Sequence, residues 1–280
     1  MKHILQNILF IFVLLPGFGI NAQDASFIKL VKTEIDLYNK FTALHKYADE
    51  AQKDMVNSNI LEELETLLTL PMSFNYPFDS LRWIGKIYSP DLKFRLITWN
   101  IPAADGTHTY YGFIQFPPKK DNPCHVIRLH DLSWDITNPE SAVLSAEKWW
   151  GALYYEILVN KYKGSRVYTI VGLDMNDQYS NKKVIDMLAF EDNYKPVFGH
   201  PAFRMDGKLK NRVIFEYAED VVMTIRYNEK YKMIVFDHLS PIEPALKNNP
   251  RFYAPDSTYD GFRFRKGVWE YIPDIDVRNP

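Results

Sequence analysis

Apolar residues recur at steps of three and four residues in the first quarter of the chain, and this spacing predicts helices. The first stripe consists of Phe27, Leu30, Val31, Ile35, Tyr38, Phe41, Leu44, His45 and Ala48. The second stripe consists of Ile60, Leu61, Leu64, Leu67 and Leu68, and it stops before Pro71. Asn57-Ser58-Asn59 separates the stripes, and Asn59 with Glu62 has the spacing of a capping box. We therefore expect a helical hairpin over residues 23–70.

After Pro71 the apolar pattern changes to short aromatic and β-branched runs separated by turn residues, which is typical of strands. Residues 92–99 and 110–116 flank Asp105-Gly106, and residues 149–159 and 167–173 flank a turn at 162–165. Residues 213–217, 221–227 and 232–237 predict a meander, and 263–265 with 268–271 predict a last hairpin around Lys266-Gly267. The expected fold is mainly β, with the helical hairpin packed on one antiparallel domain over residues 71–280. A sandwich, a barrel and a propeller-like assembly all fit this pattern.

The first 22 residues have the pattern of a secretory signal peptide. Lys2 precedes a mostly apolar run over residues 4–15, and Ala22 ends a small-residue cleavage site. The run is too short for a transmembrane helix, and the residue after Ala22 is Gln, not a lipid-modified Cys. We expect a soluble exported protein, periplasmic or extracellular, with no transmembrane segment after cleavage.

The amino-acid composition and net charge restrict the kinds of molecule that this protein is expected to bind. The chain is 46% hydrophobic and 15% aromatic, as in an ordered globular protein, and its net charge is only −2. Because no basic cluster stands out, nucleic acid is not an expected partner. Cys124 is the only cysteine, so no intrachain disulfide can form, and its apolar neighbours predict a buried thiol.

Four segments together resemble a group of uncharacterised secreted proteins of Gram-negative bacteria. The segments are 83–91 (WIGKIYSPD), 149–155 (WWGALYY), 235–241 (VFDHLSP) and 252–262, which contains FYAPD and YDGF. The resemblance extends from about residue 80 to the C-terminus. It implies a secreted β-rich protein, and it implies no activity and no catalytic residues.

No motif indicates a metal or a cofactor. Asp174, Asn176 and Gln178 place oxygen side chains at alternate positions as in a calcium loop, but Tyr179 stands where such a loop needs Gly. A polar turn is the favoured interpretation. The histidines form no zinc motif, and the chain has neither a GxGxxG nor a Walker sequence. We expect no cofactor.

Two functional hypotheses remain. The first is a non-catalytic envelope or surface protein that binds a glycan, a peptide or an envelope protein, using an aromatic platform and nearby polar side chains. Its candidate ligand-binding residues are Trp134, Trp149, Trp150, Asp174, Asn176, Asp237 and His238. The alternative is a secreted hydrolase whose carboxylates come from separate strands, such as Asp174, Asp186, Glu216 and Asp237. His130 or His238 could also meet a distant carboxylate and act as a general base.

Overall fold

The computed structural model describes residues 22–277, apart from 48, 121 and 163. The predicted signal peptide lies outside these residues except for Ala22. Two helices, α1 (Ala22–Leu44) and α2 (Glu50–Leu68), precede a short 3-10 helix at Pro71–Asn75. The strands are β1 (Gly85–Tyr88), β2 (Arg95–Pro102), β3 (His108–Phe116), β4 (His125–His130), β5 (Leu153–Tyr162), β6 (Ser165–Asp177), β7 (Ser180–Phe190), β8 (Pro196–Phe198), β9 (Phe203–Met205), β10 (Lys208–Lys210), β11 (Arg212–Ala218), β12 (Ile225–Asn228), β13 (Met233–Pro241), β14 (Tyr253–Arg265) and β15 (Val268–Ile272).

The strands form three open sheets. The first sheet has the order β1-β2-β3-β4, and the second has the order β11-β7-β6-β5, with β8 also paired to β7. The third sheet has the order β10-β9-β15-β14-β13-β12. Neighbouring strands are antiparallel except β15 and β9, which are parallel. The expectation of a mainly β fold with N-terminal helices and antiparallel sheets is confirmed, with 44% of residues in strands and 22% helical.

The hydrophobic clusters show that the elements stack in four layers. The helices pack on one face of the first sheet, where Phe41, Leu64 and Trp99 are buried together. The other face of the first sheet packs on the second sheet through Phe94, Ile114 and Ile170, among others. The second sheet then packs on the third, through a cluster that includes Val171, Ile185, Val213, Phe236, Phe262 and Trp269. Each inner sheet is therefore covered on both faces.

The break between the helices lies earlier than the sequence suggested. The chain turns at His45 and Lys46, and Asp49 caps α2 by accepting a hydrogen bond from the Gln52 amide at 3.3 Å. Asn57 is buried in the middle of α2, where its Oδ1 accepts a hydrogen bond from Trp99 Nε1 at 3.1 Å. The prediction of a loop at 57–59 was wrong because this tertiary bond satisfies the Asn side chain inside the helix.

Several hairpins follow their predicted turns. β2 and β3 pair around Asp105-Gly106, and Gly106 has a φ of +84°, a conformation that glycine adopts without strain. β5 pairs with β6, and β14 with β15, as predicted. The predicted meander is only partly correct. β12 and β13 pair in the third sheet, but β11 pairs with β7 in the second.

Side chains from the second sheet cover the outer edge of β12. The Glu156 carboxylate accepts hydrogen bonds from the Tyr227 amide, at 3.1 Å for Oε1 and 3.0 Å for Oε2. Next to it, the Tyr155 hydroxyl donates to the Ile225 carbonyl oxygen at 3.2 Å. Two polar groups of this edge are thus bonded to β5, which belongs to a different sheet.

Candidate functional site

Three of the seven predicted ligand-binding residues meet around one cation, Lys182. Lys182 on β7 lies directly opposite Asp174 on β6. Its Nζ donates to Asn176 Oδ1 at 2.5 Å and lies 5.7 Å from the centre of the Trp150 ring. We call Lys182, Asp174, Asn176 and Trp150 the Lys182 cluster. Sequence reasoning identified three of its members but not the lysine that holds them together.

Two members of the Lys182 cluster are buried and two, Lys182 and Asn176, are half-buried. Asp174 is buried, and its Oδ1 accepts hydrogen bonds from the Tyr110 hydroxyl at 3.0 Å and from the Asn176 amide at 2.8 Å. Burial raises the pKa of Asp174, and the positive charge of Lys182 acts in the opposite direction. Trp150 is buried as well. The Tyr110–Asp174 bond therefore joins the first sheet to the second, and the buried carboxylate and indole are not available to a ligand.

A chain of polar contacts continues from the Lys182 cluster to the segment after β13. Asn176 Nδ2 donates to Ser180 Oγ at 2.8 Å, and Ser180 Oγ donates to Glu216 Oε1 at 2.7 Å. Arg251 Nε then lies 3.5 Å from the same Glu216 oxygen, and Arg251 Nη2 donates to Asp177 Oδ2 at 2.8 Å. Asp177 also accepts from the backbone amide of Tyr179 at 2.9 Å, which is the geometry of a polar turn. No group of three or more His, Cys, Asp or Glu suited to a metal ion occurs among the residues described.

The tryptophans and tyrosines around residue 150 do not form a continuous exposed platform. Trp149 is fully buried, and its Nε1 donates to the Tyr154 hydroxyl at 2.9 Å. Trp134 is 83% exposed but stands alone on the short 3-10 helix Ser133–Asp135. Trp149 lies before the first residue of β5, so it does not follow the alternation of a strand. The expected platform is therefore absent from this part of the described chain.

Asp237 and His238 lie where the register between β13 and β14 shifts, and their side chains contact different partners. Asp237 Oδ2 accepts from the Thr224 amide at 2.6 Å. His238 Nδ1 lies 2.7 Å from Asp260 Oδ2, and the His238 side chain is 40% exposed. Asp260 also accepts from the Tyr271 hydroxyl at 2.7 Å.

This His–Asp pair fixes the orientation of an accessible imidazole, which is a requirement for a general base. Burial, followed by the hydrogen bond to Asp260, raises the pKa of Tyr271 and keeps its proton in place. Asp260 was not predicted as a partner, because it is 22 residues from His238 and only the pairing of β13 with β14 brings them together.

Exposed aromatic residues do come together elsewhere, between α1 and the segment that precedes β1. A groove of about 370 Å³ is lined by Ile35, Tyr38, Ser80, Arg82 and Trp83, and we call it the aromatic groove. The Tyr38 and Trp83 rings are 5.3 Å apart at an interplanar angle of 48°. Tyr38 is 42% exposed.

Contacts with the core hold the Trp83 ring in position. It stacks on buried Phe41 at 6.0 Å with an angle of 12°, and the His45 ring lies 5.5 Å away. The sequence placed Tyr38 in a helical stripe but gave no sign that Trp83 lies beside it. The two residues are 45 positions apart and belong to different kinds of element.

Cys124 is buried, as predicted, and burial raises the pKa of its thiol. Among the described residues, no helix combines the length and apolar character needed to cross a membrane. Comparisons with known proteins found no matching family model, no similar curated protein and no similar solved structure.

Proposed function

We propose that this chain is an exported, non-catalytic binding protein of the cell envelope or cell surface, and that its aromatic groove binds a glycan. The proposal of export rests on the N-terminal sequence pattern. The proposal of glycan binding rests on one observation, the partly exposed Tyr38 and Trp83 rings in a groove that also contains Arg82 and Ser80.

The chemistry of a sugar ring matches this lining. A pyranose has an apolar face of C–H groups, which packs on aromatic rings, and an outer set of hydroxyl groups, which need hydrogen-bond partners. Tyr and Trp offer large contact areas with few rotatable bonds, so little conformational entropy is lost on binding. Arg82 and Ser80 supply the polar partners. The volume of the groove lies in the range of small-molecule sites.

The proposal is tested by isothermal titration of the purified protein with soluble oligosaccharides, using chitotetraose, maltohexaose and tri-galacturonic acid as probes. We expect at least one of them to bind. Tyr38→Ala should weaken that binding by tenfold or more, equivalent to about 1.4 kcal/mol. Trp134→Ala is the matched control, because it removes an exposed ring outside the groove and should leave the affinity unchanged.

Two results would contradict the proposal. One is the failure of all three probes to bind at millimolar concentration. The other is an equal loss of affinity in the Tyr38→Ala and Trp134→Ala proteins, since that would mean that the oligosaccharide does not bind in the aromatic groove.

The hydrolase alternative stays a prediction. The oriented imidazole of His238 is the observation that favours it, and His238 is the residue that would act as the base. An activity screen with chromogenic ester and glycoside substrates tests this hypothesis. Turnover that His238→Gln abolishes supports it, and turnover that the substitution leaves unchanged removes His238 from the reaction.

A further inference from the structure

A second groove, separate from the aromatic groove, lies on the outer face of the third sheet. It has a volume of about 220 Å³ and is lined by Thr224, Arg226, Asn228, Val235, Phe236, Asp237, Tyr259 and Val277. We call it the Arg226–Asp237 groove. Its wall is made of β12, β13, β14 and the C-terminal segment, so four stretches of chain converge on it.

The groove carries two opposite charges that do not neutralise each other. Arg226 is directly opposite Val235, and Asp237 lies two residues farther along β13 on the same face. Diagonal neighbours of this kind are about 7–8 Å apart along the backbone, a separation that long side chains can bridge, yet the Arg226 and Asp237 side chains form no ion pair with each other. Within the part of the chain that the structure describes, Arg226 has no carboxylate within 4 Å. Glu156 acts on it only at longer range.

Asp237 is held in place while part of its carboxylate stays available. Its Oδ2 accepts a hydrogen bond from the Thr224 amide at 2.6 Å, and the Asp237 amide donates to the Thr224 carbonyl oxygen at 3.1 Å. Oδ1 has no hydrogen bond to any described residue. The backbone thus fixes the carboxylate at one edge of the groove, with one oxygen left as an acceptor.

We propose that the Arg226–Asp237 groove binds a free α-amino acid in its zwitterionic form. The planar guanidinium of Arg226 suits the carboxylate of such a ligand, because it can donate two parallel hydrogen bonds. The free oxygen of Asp237 suits the ammonium group. Tyr259, a half-buried residue of the lining, provides apolar surface for the ligand side chain. The small volume fits this class, since drug-sized ligands occupy pockets of about 300–1,000 Å³.

The test is titration calorimetry of the purified protein with glycine, L-alanine, D-alanine, L-leucine, L-glutamate and L-lysine, each up to 10 mM. For every amino acid that binds, the N-acetyl and the amide derivatives are measured too. At least one free amino acid should bind, and blocking either of its charged groups should weaken binding tenfold or more.

Two substitutions test whether Arg226 and Asp237 bind the charged groups of the ligand. Arg226→Gln and Asp237→Asn should each weaken binding at least tenfold. The Asn oxygen can still accept from the Thr224 amide, so the fold is retained, and near-ultraviolet circular dichroism checks this. Arg204→Gln, which alters another arginine of the third sheet, should leave the affinity within twofold.

The inference is overturned if none of the six amino acids binds at 10 mM, or if the blocked derivatives bind as tightly as the free ones. It is also overturned if both groove variants bind like the Arg204→Gln control. None of these results depends on oligosaccharide binding, because the aromatic groove lies on α1 and the segment before β1.

Discussion

Replacing Asp186 by Asn tests the contribution of the buried ion pair between Asp186 on β7 and Arg212 on β11. The two side chains are 1% and 0% exposed, and Arg212 Nε lies 2.8 Å from Asp186 Oδ2. Arg212 also donates to the carbonyl oxygens of Pro139 and Ala142, so this one cation links the second sheet to the loop that precedes β5.

The magnitude follows from burial. When one partner of a buried pair loses its charge, the other is left uncompensated away from water, which costs about 3–5 kcal/mol. Domains of this kind are stable by about 5–15 kcal/mol, so Asp186→Asn should remove a large part of the free energy of unfolding. Urea denaturation measures this loss as a lower midpoint, with the slope unchanged if the native state stays compact.

Asp135→Asn is the matched control. Asp135 Oδ2 also lies 2.8 Å from a cation, Lys148 Nζ, but these side chains are 56% and 43% exposed. Exposed pairs contribute about 0–1 kcal/mol, so this variant should lose less than about 1 kcal/mol. If the two variants lose equal stability, then burial does not set the strength of the Asp186–Arg212 pair, and the reasoning is refuted.

Two further predictions concern stability. Gly151→Ala should lower the free energy of unfolding by about 1–3 kcal/mol, because the added Cβ would lie 2.5 Å from Tyr110 Cβ. Gly85→Ala is the control, because its Cβ would lie 3.4 Å from the nearest atom. In the same urea titration it should change stability by less than about 0.5 kcal/mol. Burial raises the pKa of Glu156, so its contribution to stability falls as the pH rises from about 4 toward the raised pKa of the folded state. The melting temperature of Glu156→Gln relative to that of the wild type should therefore rise between pH 4 and pH 7. A difference in melting temperature that stays constant over this range would contradict the prediction.

Turn chemistry explains which parts of the fold could be predicted. Asp105-Gly106 and Lys266-Gly267 determine their hairpins locally, so the pairs β2–β3 and β14–β15 could be derived from adjacent residues. The pairing of β11 with β7 could not be derived in this way. Its partner β7 is separated from it by three short strands, and the Asp186–Arg212 pair that joins them has no local signature.

The candidate site shows the same limit. The alternation of Asp174 and Asn176 makes them candidate oxygen ligands, and the two residues do lie together with Trp150 around Lys182. Lys182 was not predicted because its role depends on the register between β6 and β7. Trp83 was not predicted for a related reason, since the helical periodicity around Tyr38 indicates a buried stripe and gives no sign of a ring beside it. Sequence periodicity predicts which face of an element is apolar, but it does not predict which two elements leave a gap.

The contacts of Glu156 and Tyr155 with β12 have a consequence for self-association. A bare strand at the margin of a sheet can template the addition of an identical strand from another molecule, which is how fibres begin. Here the amide of Tyr227 and the carbonyl of Ile225 are already bonded within the same chain. An incoming strand would have to displace the Glu156 carboxylate and the Tyr155 phenol before it could pair with β12. These contacts therefore disfavour polymerisation through that edge at high protein concentration.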